Sequence, residues 1–234
     1  MTESDQNQKH TCGLSHKGCV SLVPIFNHLD VQQMDEIMET VQSQSFEKGE
    51  LVYRAGDKSD VLTIVNKGSL RIYRLSESGK EQLVRVLRPG EFTGELALFN
   101  EKVHENYAEA MEPASVCQIT RSDLQTLLVK YPSISLKILQ ELSARVDQSE
   151  TQAARFTTES TEQRLALYLA DLLGPGSESN IVTLPLTKKD LASYIGTTPE
   201  TVSRKLKELE ELNLIKRLSS SKIKILDEDN LIFL

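Results

Sequence analysis

The stretch that decides the fold of the C-terminal part is Leu186-Thr-Lys-Lys-Asp-Leu-Ala-Ser-Tyr-Ile-Gly-Thr-Thr-Pro-Glu-Thr-Val-Ser-Arg-Lys-Leu-Lys-Glu-Leu-Glu-Glu-Leu212. Thr187 is a predicted N-cap for a short helix, and Gly196 is placed to make a turn after it. Thr198 is a second N-cap, and Pro199 occupies the first position of the helix that follows. Two helices joined by a tight glycine turn form a helix-turn-helix.

The second predicted helix has two chemically different faces, because successive residues are about 100° apart around a helix. Its apolar face comprises Val202, Leu206 and Leu209, and its polar face comprises Glu200, Ser203, Arg204 and Lys207. Arg204 can donate two hydrogen bonds to guanine, Glu200 can accept one from a cytosine amine, and Ser203 can bond either kind of base edge. These three residues are the predicted base readers. The alternative is an ordinary solvated helix face with Glu200 complementing the helix dipole.

Residues that follow this helix predict a wing. Two short alternating segments, 214–218 and 222–226, flank a turn at 219–221. Hydroxyl groups at helix starts and cations on the wing and the helix suit DNA phosphates. The predicted contacts to the DNA backbone are Thr187, Thr198, Lys205, Lys207, Lys216 and Lys222.

The charge distribution is compatible with binding to double-stranded DNA, although the 234-residue chain has a net charge of −7. Residues 187–224 contain nine Lys or Arg against five Asp or Glu. A basic segment on an acidic body confines DNA binding to one surface. The N-terminus is polar, and no apolar run approaches the roughly eighteen residues of a membrane span, so we expect a cytoplasmic protein with no membrane partner.

Upstream of this region, residues 45–120 show short apolar segments punctuated by glycines, which predicts an antiparallel β-roll. A long helix is predicted over 133–158. It carries apolar and small residues at alternating steps of three and four, a pattern that favours a homodimer, although one face packed on the chain's own β-domain would also satisfy it. The predicted seam comprises Leu139, Leu142, Val146, Ser149, Ala153 and Phe156.

Together these patterns predict an α+β chain in four parts. An N-terminal arm with cysteines covers residues 1–22, and a β-roll sensor domain covers residues 23–132. The dimerisation helix occupies residues 133–158, and a winged helix-turn-helix DNA-binding domain occupies residues 159–234.

Three further motifs carry a resemblance to a known family. They are Phe46-Glu-Lys-Gly-Glu-Leu-Val-Tyr-Arg-Ala-Gly-Asp57, Gly68-Ser-Leu-Arg-Ile-Tyr73 and Pro89-Gly-Glu-Phe-Thr-Gly-Glu-Leu-Ala-Leu-Phe99. With the helix-turn-helix, they make the chain resemble the CRP/FNR family of bacterial regulators. The resemblance implies a jelly roll like a cyclic nucleotide-binding domain, a dimer on a symmetric promoter site, and RNA polymerase as a partner. The base readers resemble the FNR branch, which implies TTGA-like half-sites with TCAA as the inverted partner.

The resemblance also bears on the signal. In the cyclic-AMP-binding branch, an Arg and a Ser after a Gly-Glu-Leu motif hold the cyclic phosphate. Here Gly94-Glu-Leu96 is present, but Glu105 and Asn106 stand at those positions. A carboxylate repels a phosphate, so we do not expect cyclic AMP as the effector. A different small-molecule effector bound in the β-roll remains an alternative.

Cys12, Cys19 and Cys117 are the cysteines of the chain, an odd and sparse set that fits a reducing compartment. FNR-like proteins of Gram-positive lactic-acid bacteria, which this chain resembles, imply a reversible disulfide between Cys117 and Cys12 or Cys19. FNR itself holds an iron-sulfur cluster on four cysteines, so a cluster here needs His10 or His16 as a further ligand. Zinc held by His10, Cys12, His16 and Cys19 is another alternative. The last alternative is that Cys117 is simply a buried core residue.

Two other classes of protein share parts of this pattern. Metal-dependent cupin enzymes also use β-rolls, but they need several His and carboxylate ligands, and His104 is the only histidine in the predicted roll. We therefore predict no catalytic residues. A small-molecule binding module with a vestigial DNA-binding end is the remaining class, and DNA titration discriminates it from a regulator.

Overall fold

A computed structural model of the chain describes residue 21 and residues 23–95, 103–173 and 179–234. The chain packs into two units. The first consists of the described residues up to Arg74 together with Val84–Ser143, and the second consists of Leu75–Leu83 and Ala144–Leu234. Both units are discontinuous in sequence, which differs from the contiguous boundaries predicted above.

The first unit contains the predicted β-roll. Its helix α1 begins after Asp30, whose side chain accepts a hydrogen bond from the Gln33 backbone amide at 2.9 Å. Antiparallel strands follow in two sheets with orders β1-β8-β3-β6 and β2-β7-β4-β5. These elements are α1 (Val31–Thr40), β1 (Gln42–Phe46), β2 (Leu51–Tyr53), β3 (Val61–Lys67), β4 (Leu70–Leu75), β5 (Glu81–Leu87), β6 (Phe92–Thr93), β7 (Tyr107–Ala110), β8 (Ala114–Thr120) and α2 (Arg121–Lys130).

Strand β8 organises the core because it pairs with both β1 and β3. Its residues Val116, Cys117 and Ile119 are buried. The apolar side chains on the two faces of β8 belong to two different clusters, one containing Val116 and the other containing Cys117 and Ile119. Alternation along a strand sends successive side chains to opposite faces, so this one strand contributes to both clusters.

The long helix α3 spans Pro132–Thr158, which confirms the predicted element. Ile134 and Ile138 are buried in the core of the first unit. Leu139 and Val146 of the predicted seam are 59% and 56% exposed, so they are available to a partner chain. Within the described ranges, no helix is both long and apolar enough to cross a membrane.

Two of the six seam residues have partners inside their own chain. Leu142 packs in part against the core of the first unit. The ring of Phe156 lies beside Gly196 and under the guanidinium of Arg164, whose carbon is 5.2 Å from the ring centroid. Phe156 nevertheless stays 36% exposed, so Leu142 is the one seam residue that is not exposed, and the seam stays a prediction.

The second unit contains the predicted winged helix-turn-helix, and it includes a small sheet with the order β10-β11-β9. Its core is formed by apolar residues from all of its helices and strands, with Leu165, Leu191 and Leu209 fully buried. Sequence patterning did not predict β9 or α7. The elements are α4 (Thr161–Asp171), β9 (Ile181–Thr183), α5 (Lys188–Ile195), α6 (Pro199–Glu211), β10 (Ile215–Arg217), β11 (Lys222–Ile225) and α7 (Glu228–Ile232).

Residues Leu75–Leu83, the tip of the β4–β5 hairpin, belong to the second unit because they contact α5. The hydroxyl of Ser193 donates to the Glu81 carbonyl at 2.9 Å and accepts from the Leu83 amide at 2.6 Å. Lys189 adds an ion pair with the Glu81 carboxylate at 3.0 Å. One turn of α5 is thus bound to the hairpin tip through both backbone and side chain.

Candidate nucleic-acid interface

Helix α6 is the predicted recognition helix, and its start is built as the sequence predicted. The Thr198 hydroxyl accepts a hydrogen bond from the Thr201 amide at 3.3 Å, and Pro199 occupies the first turn. Gly196 ends α5 in the left-handed region, with φ +75°. Glycine reaches this conformation without the cost that a side chain imposes, so the turn between the two helices can be tight.

One face of α6 is fixed in the core, and the other is free to meet a ligand. Val202, Leu206 and Leu209 are buried with exposures of 2% or less. Glu200 and Arg204 are exposed, and Ser203 is half-buried. The proposed base readers therefore project from a helix that the opposite face holds in place, which is the arrangement that major-groove reading requires.

Several cations of α6 are matched by acids of the same domain. The Arg204 guanidinium lies 3.7 Å from the Glu208 carboxylate, and Lys207 lies 3.3 Å from Glu211. Exposed pairs of this i,i+4 kind are worth only about 0.3–0.5 kcal/mol. The Arg204 and Lys207 side chains are 67% and 70% exposed. Contacts to DNA can therefore replace their ion pairs with Glu208 and Glu211 at little cost.

Lys205 is placed differently from the phosphate contact that the sequence predicted. Its ammonium is bonded to Glu208 and, at 3.1 Å, to Glu162 of α4, and its side chain is only 22% exposed. The hydrogen bonds to Glu208 and Glu162 raise the pKa of Lys205. Lys205 therefore joins α6 to α4 and is not among the phosphate contacts proposed below.

The wing consists of β10 and β11, paired antiparallel with Lys216 opposite Lys224. Lys216, Lys222 and Lys224 are exposed, while the alternate residues Ile223 and Ile225 are buried. Arg217 pairs with Glu210 of α6 at 2.7 Å. Bonds from the backbone amide and the side chain of Arg217 lower the pKa of Glu210 and tie the wing to the recognition helix.

Thr187 is the N-cap of α5, as predicted. Its hydroxyl accepts from the Asp190 amide at 3.2 Å and is also 2.6 Å from the Asp190 carboxylate. Thr187 is exposed, and the first backbone amides of a helix are suited to bind anions such as phosphates.

The β-roll contains the predicted cysteine, which lies in strand β8. Cys117 is 1% exposed and engaged in a disulfide. Its sulfur lies 3.9 Å from the Ser43 hydroxyl on β1. His10, Cys12, His16 and Cys19 lie outside the described residues. No group of three or more His, Cys, Asp or Glu suited to a metal ion occurs within the part of the chain that is described.

The β-roll also contains a set of polar contacts near the Gly-Glu-Leu motif. Tyr53 stacks on His104 with ring centroids 3.7 Å apart, and its hydroxyl is 2.9 Å from that of Thr93. Burial raises the pKa of Tyr53 and lowers that of His104. Arg85 pairs with Glu95 at 3.2 Å. Leu96 of the motif lies outside the described residues.

Glu105 has a partner that sequence proximity did not indicate. The guanidinium of Arg74 on β4 pairs with Glu105 at 2.6 Å and donates to the Asn106 side chain at 2.7 Å. The two residues that replace the phosphate-binding pair are thus bonded to an arginine of the neighbouring strand. A strand register, rather than a motif, was the signal needed to find this contact.

Comparison with known proteins decides the family. A model of the cyclic nucleotide-binding domain matches residues 43–131, and a model of the Crp-like helix-turn-helix domain matches residues 163–234. The chain is 38% identical over 213 residues to a probable transcriptional regulator flp of Lacticaseibacillus casei, an alignment that covers 91% of this chain and 96% of that protein. The chain belongs to the CRP/FNR family of transcription regulators.

Other matches agree with this membership. A fumarate and nitrate reduction regulatory protein of Yersinia pestis is 27% identical, over 81% of this chain and 76% of that protein. The structure of FixK2 from Bradyrhizobium japonicum shares the fold with a TM-score of 0.72 at 22% identity, covering 83% of this chain and 96% of that one. This CRP/FNR protein is therefore a DNA-binding transcription regulator, and its family consists of regulators rather than enzymes.

Proposed function

We propose that this CRP/FNR regulator binds an inverted repeat with TTGA-like half-sites as a homodimer, and that oxidation of Cys117 controls this binding. The observation that carries the proposal is the exposed face of α6, where Glu200 and Arg204 project from a helix whose opposite face is buried. We also infer that it acts in the cytoplasm, with RNA polymerase as its protein partner.

The chemistry of the readers supports a G·C pair in each half-site. Arg204 suits guanine O6 and N7, and Glu200 suits the amine of the paired cytosine. TTGA opposite TCAA supplies such a pair. The exposed cations Lys207, Lys216 and Lys222 suit the phosphates on either side, and Thr187 and Thr198 present helix starts toward the backbone.

Replacing Arg204 with Ala tests base reading. We expect the preference for a TTGA inverted repeat, over the same duplex with the G·C pair exchanged for A·T, to fall by about 1–3 kcal/mol per half-site. Fluorescence anisotropy titrations with both duplexes measure this preference.

Lys207→Ala is the matched control. Because a phosphate contact carries no sequence information, this variant should bind both duplexes more weakly by the same factor. It should also lower the slope of log affinity against log salt concentration by about one per half-site. If Arg204→Ala kept the full preference of the unmodified protein, base reading by α6 would be wrong. Equal affinity of the unmodified protein for repeat and scrambled duplex would remove the specific-regulator proposal altogether.

The redox proposal is supported by the disulfide at Cys117. Its proposed partner is Cys12 or Cys19, the other cysteines of the chain. Formation of the disulfide removes two protons and two electrons from a pair of thiols, which an oxidant of the cell must accept. Burial of the Cys117 side chain means that opening or closing this bond must be accommodated by the core around β8.

Thiol counting tests this proposal. Anaerobically purified, reduced protein should lose two free thiols on mild oxidation. The Cys117→Ala variant cannot form this disulfide and should lose no thiol to it. Cys12→Ser and Cys19→Ser, tested separately, identify the partner. Operator affinity should differ between the reduced and oxidised forms of the unmodified protein and not in Cys117→Ala. A visible charge-transfer band would indicate an iron-sulfur cluster instead, bound zinc would indicate the zinc site, and an unchanged thiol count would favour a small-molecule effector.

A further inference from the structure

Phe156 and Gly196 form a close contact between the last turn of α3 and the turn of the helix-turn-helix. A Cβ atom at Gly196 would lie 2.7 Å from Cε1 of Phe156. Because real Cβ atoms do not approach so closely, a side chain at this position would displace the Phe156 ring, and the φ of +75° also favours glycine. The end of α3 therefore packs directly on the joint that precedes the recognition helix.

Arg164 of α4 fixes the same joint from a second side. Its Nε donates to the Ile195 carbonyl at 3.0 Å, and its Nη1 donates to the Glu159 carbonyl at 2.6 Å. Its planar group also lies 5.2 Å from the Phe156 ring centroid. One guanidinium thus binds the carboxyl end of α5, the residue after α3 and the ring between them.

The geometry uses properties that are specific to arginine. The carboxyl end of a helix carries partial negative charge, so a cation on the Ile195 carbonyl is favourable. The fork of guanidinium donors reaches two carbonyls at once, and its flat face stacks on an aromatic ring. An ammonium has neither the fork nor the flat face. A longer contact, from the Gln152 side-chain amide to the Tyr194 carbonyl at 3.5 Å, supports the same joint.

We propose that Arg164 and Phe156 are positioning residues that fix the helix-turn-helix to the end of α3 and so set the spacing between half-sites that the dimer accepts. This inference rests on the proposed dimeric operator binding. The part of the proposed dimer seam nearest this joint comprises Val146, Ser149 and Ala153, which are exposed on α3 within the same unit, and α6 begins three residues after Gly196. Holding the joint to α3 therefore fixes each recognition helix relative to this part of the seam. Two such helices match half-sites one or two helical turns apart, about 34 Å for each turn.

The spacing test uses the full chain and duplexes in which the two TTGA half-sites are moved apart or together by one and two base pairs. The unmodified protein should bind one spacing best and fall off sharply on either side. Arg164→Met should lose about 10-fold at that spacing, the equivalent of one hydrogen bond to a charged group. Its profile across spacings should be flatter, while its preference for the G·C pair within each half-site stays unchanged.

Arg155→Met is the matched control. Arg155 also joins the end of α3 to α4, but through one ion pair with Asp171 at 2.7 Å whose carboxylate is 59% exposed. Such a pair is worth at most about 1 kcal/mol, so this variant should keep the sharp spacing profile. Arg164→Lys should resemble Arg164→Met, because retaining the charge does not restore the two carbonyl bonds. A uniform loss at all spacings by Arg164→Met, with the sharp profile retained, would mean that Arg164 only stabilises the domain and would overturn the proposal.

A measurement without DNA keeps this inference separable from operator choice. Spin labels on non-natural amino acids at Glu150 of α3 and Lys207 of α6, both exposed, report the distance between these helices. Labelled chains are diluted with unlabelled ones, so that each distance comes from within one chain. We expect a narrow distance distribution in the unmodified protein and a broader one in Arg164→Lys. Equal widths would overturn the positioning role even if the operator sequence were different.

Discussion

Replacing Leu139 and Val146 of α3 with Glu is expected to convert the proposed dimer into a monomer and to lower affinity for the proposed inverted repeat by at least about 100-fold. Both side chains are more than half exposed, at 59% and 56%, and both lie on the proposed seam. In a symmetric interface each substitution places like charges against each other across the axis. Loss of the second DNA-binding site removes an avidity gain of about 10²–10⁴. Analytical ultracentrifugation and duplex titration measure the two effects.

Gln140→Glu combined with Ala144→Glu is the control for this variant. These exposed residues lie on the opposite side of α3, and both substitutions introduce glutamate there as well. This control should stay dimeric and keep its operator affinity to within a few-fold. If the seam variant sedimented as a dimer, α3 would not be the dimer interface, and its exposed apolar residues would need another partner.

Leu209→Ala is expected to lower the free energy of unfolding of the second unit by about 2–5 kcal/mol. Leu209 lies on the buried face of α6 and is fully buried in the core of the second unit. Its truncation removes apolar contacts and leaves a cavity that the surrounding helices fill only in part. Because the same core holds the reading face in place, operator binding should also fail at a lower temperature than in the unmodified protein.

Leu212→Ala separates this packing effect from the loss of a leucine in general. Leu212 follows α6 by one residue and is 57% exposed, so its truncation should change stability by no more than about 0.5 kcal/mol. Urea unfolding followed by far-ultraviolet circular dichroism measures both variants. Equal destabilisation by the two substitutions would contradict the assignment of Leu209 to the buried face of α6.

Much of the fold was predictable because its signals are local. The apolar spacing in α3, the Thr-Pro start of α6 and the glycine between α5 and α6 each lie within a few residues of the structure that they specify. A helix or a turn depends mainly on such neighbours. The exposure of Glu200 and Arg204, the proposed base readers, followed from the same periodicity.

The remaining contacts depend on tertiary structure and have no local signal. Arg74 meets Glu105 because two strands come together, and Lys205 meets Glu162 because α6 packs on α4. Phe156 continues the three-four spacing of the seam, yet its ring is used by its own chain at Gly196. Periodicity identifies which face of a helix is apolar, but it does not identify what will cover that face.

The hairpin tip has a practical consequence for anyone who wishes to transplant the DNA-reading half of this regulator onto a different sensor. A fragment beginning at Ala144 would lack Leu75–Leu83, which belong to the same unit. It would leave Ser193 without the Glu81 and Leu83 backbone groups that it bonds, and Lys189 without its carboxylate. A working chimera therefore has to import both pieces of chain, or redesign the surface of α5 that the tip protects.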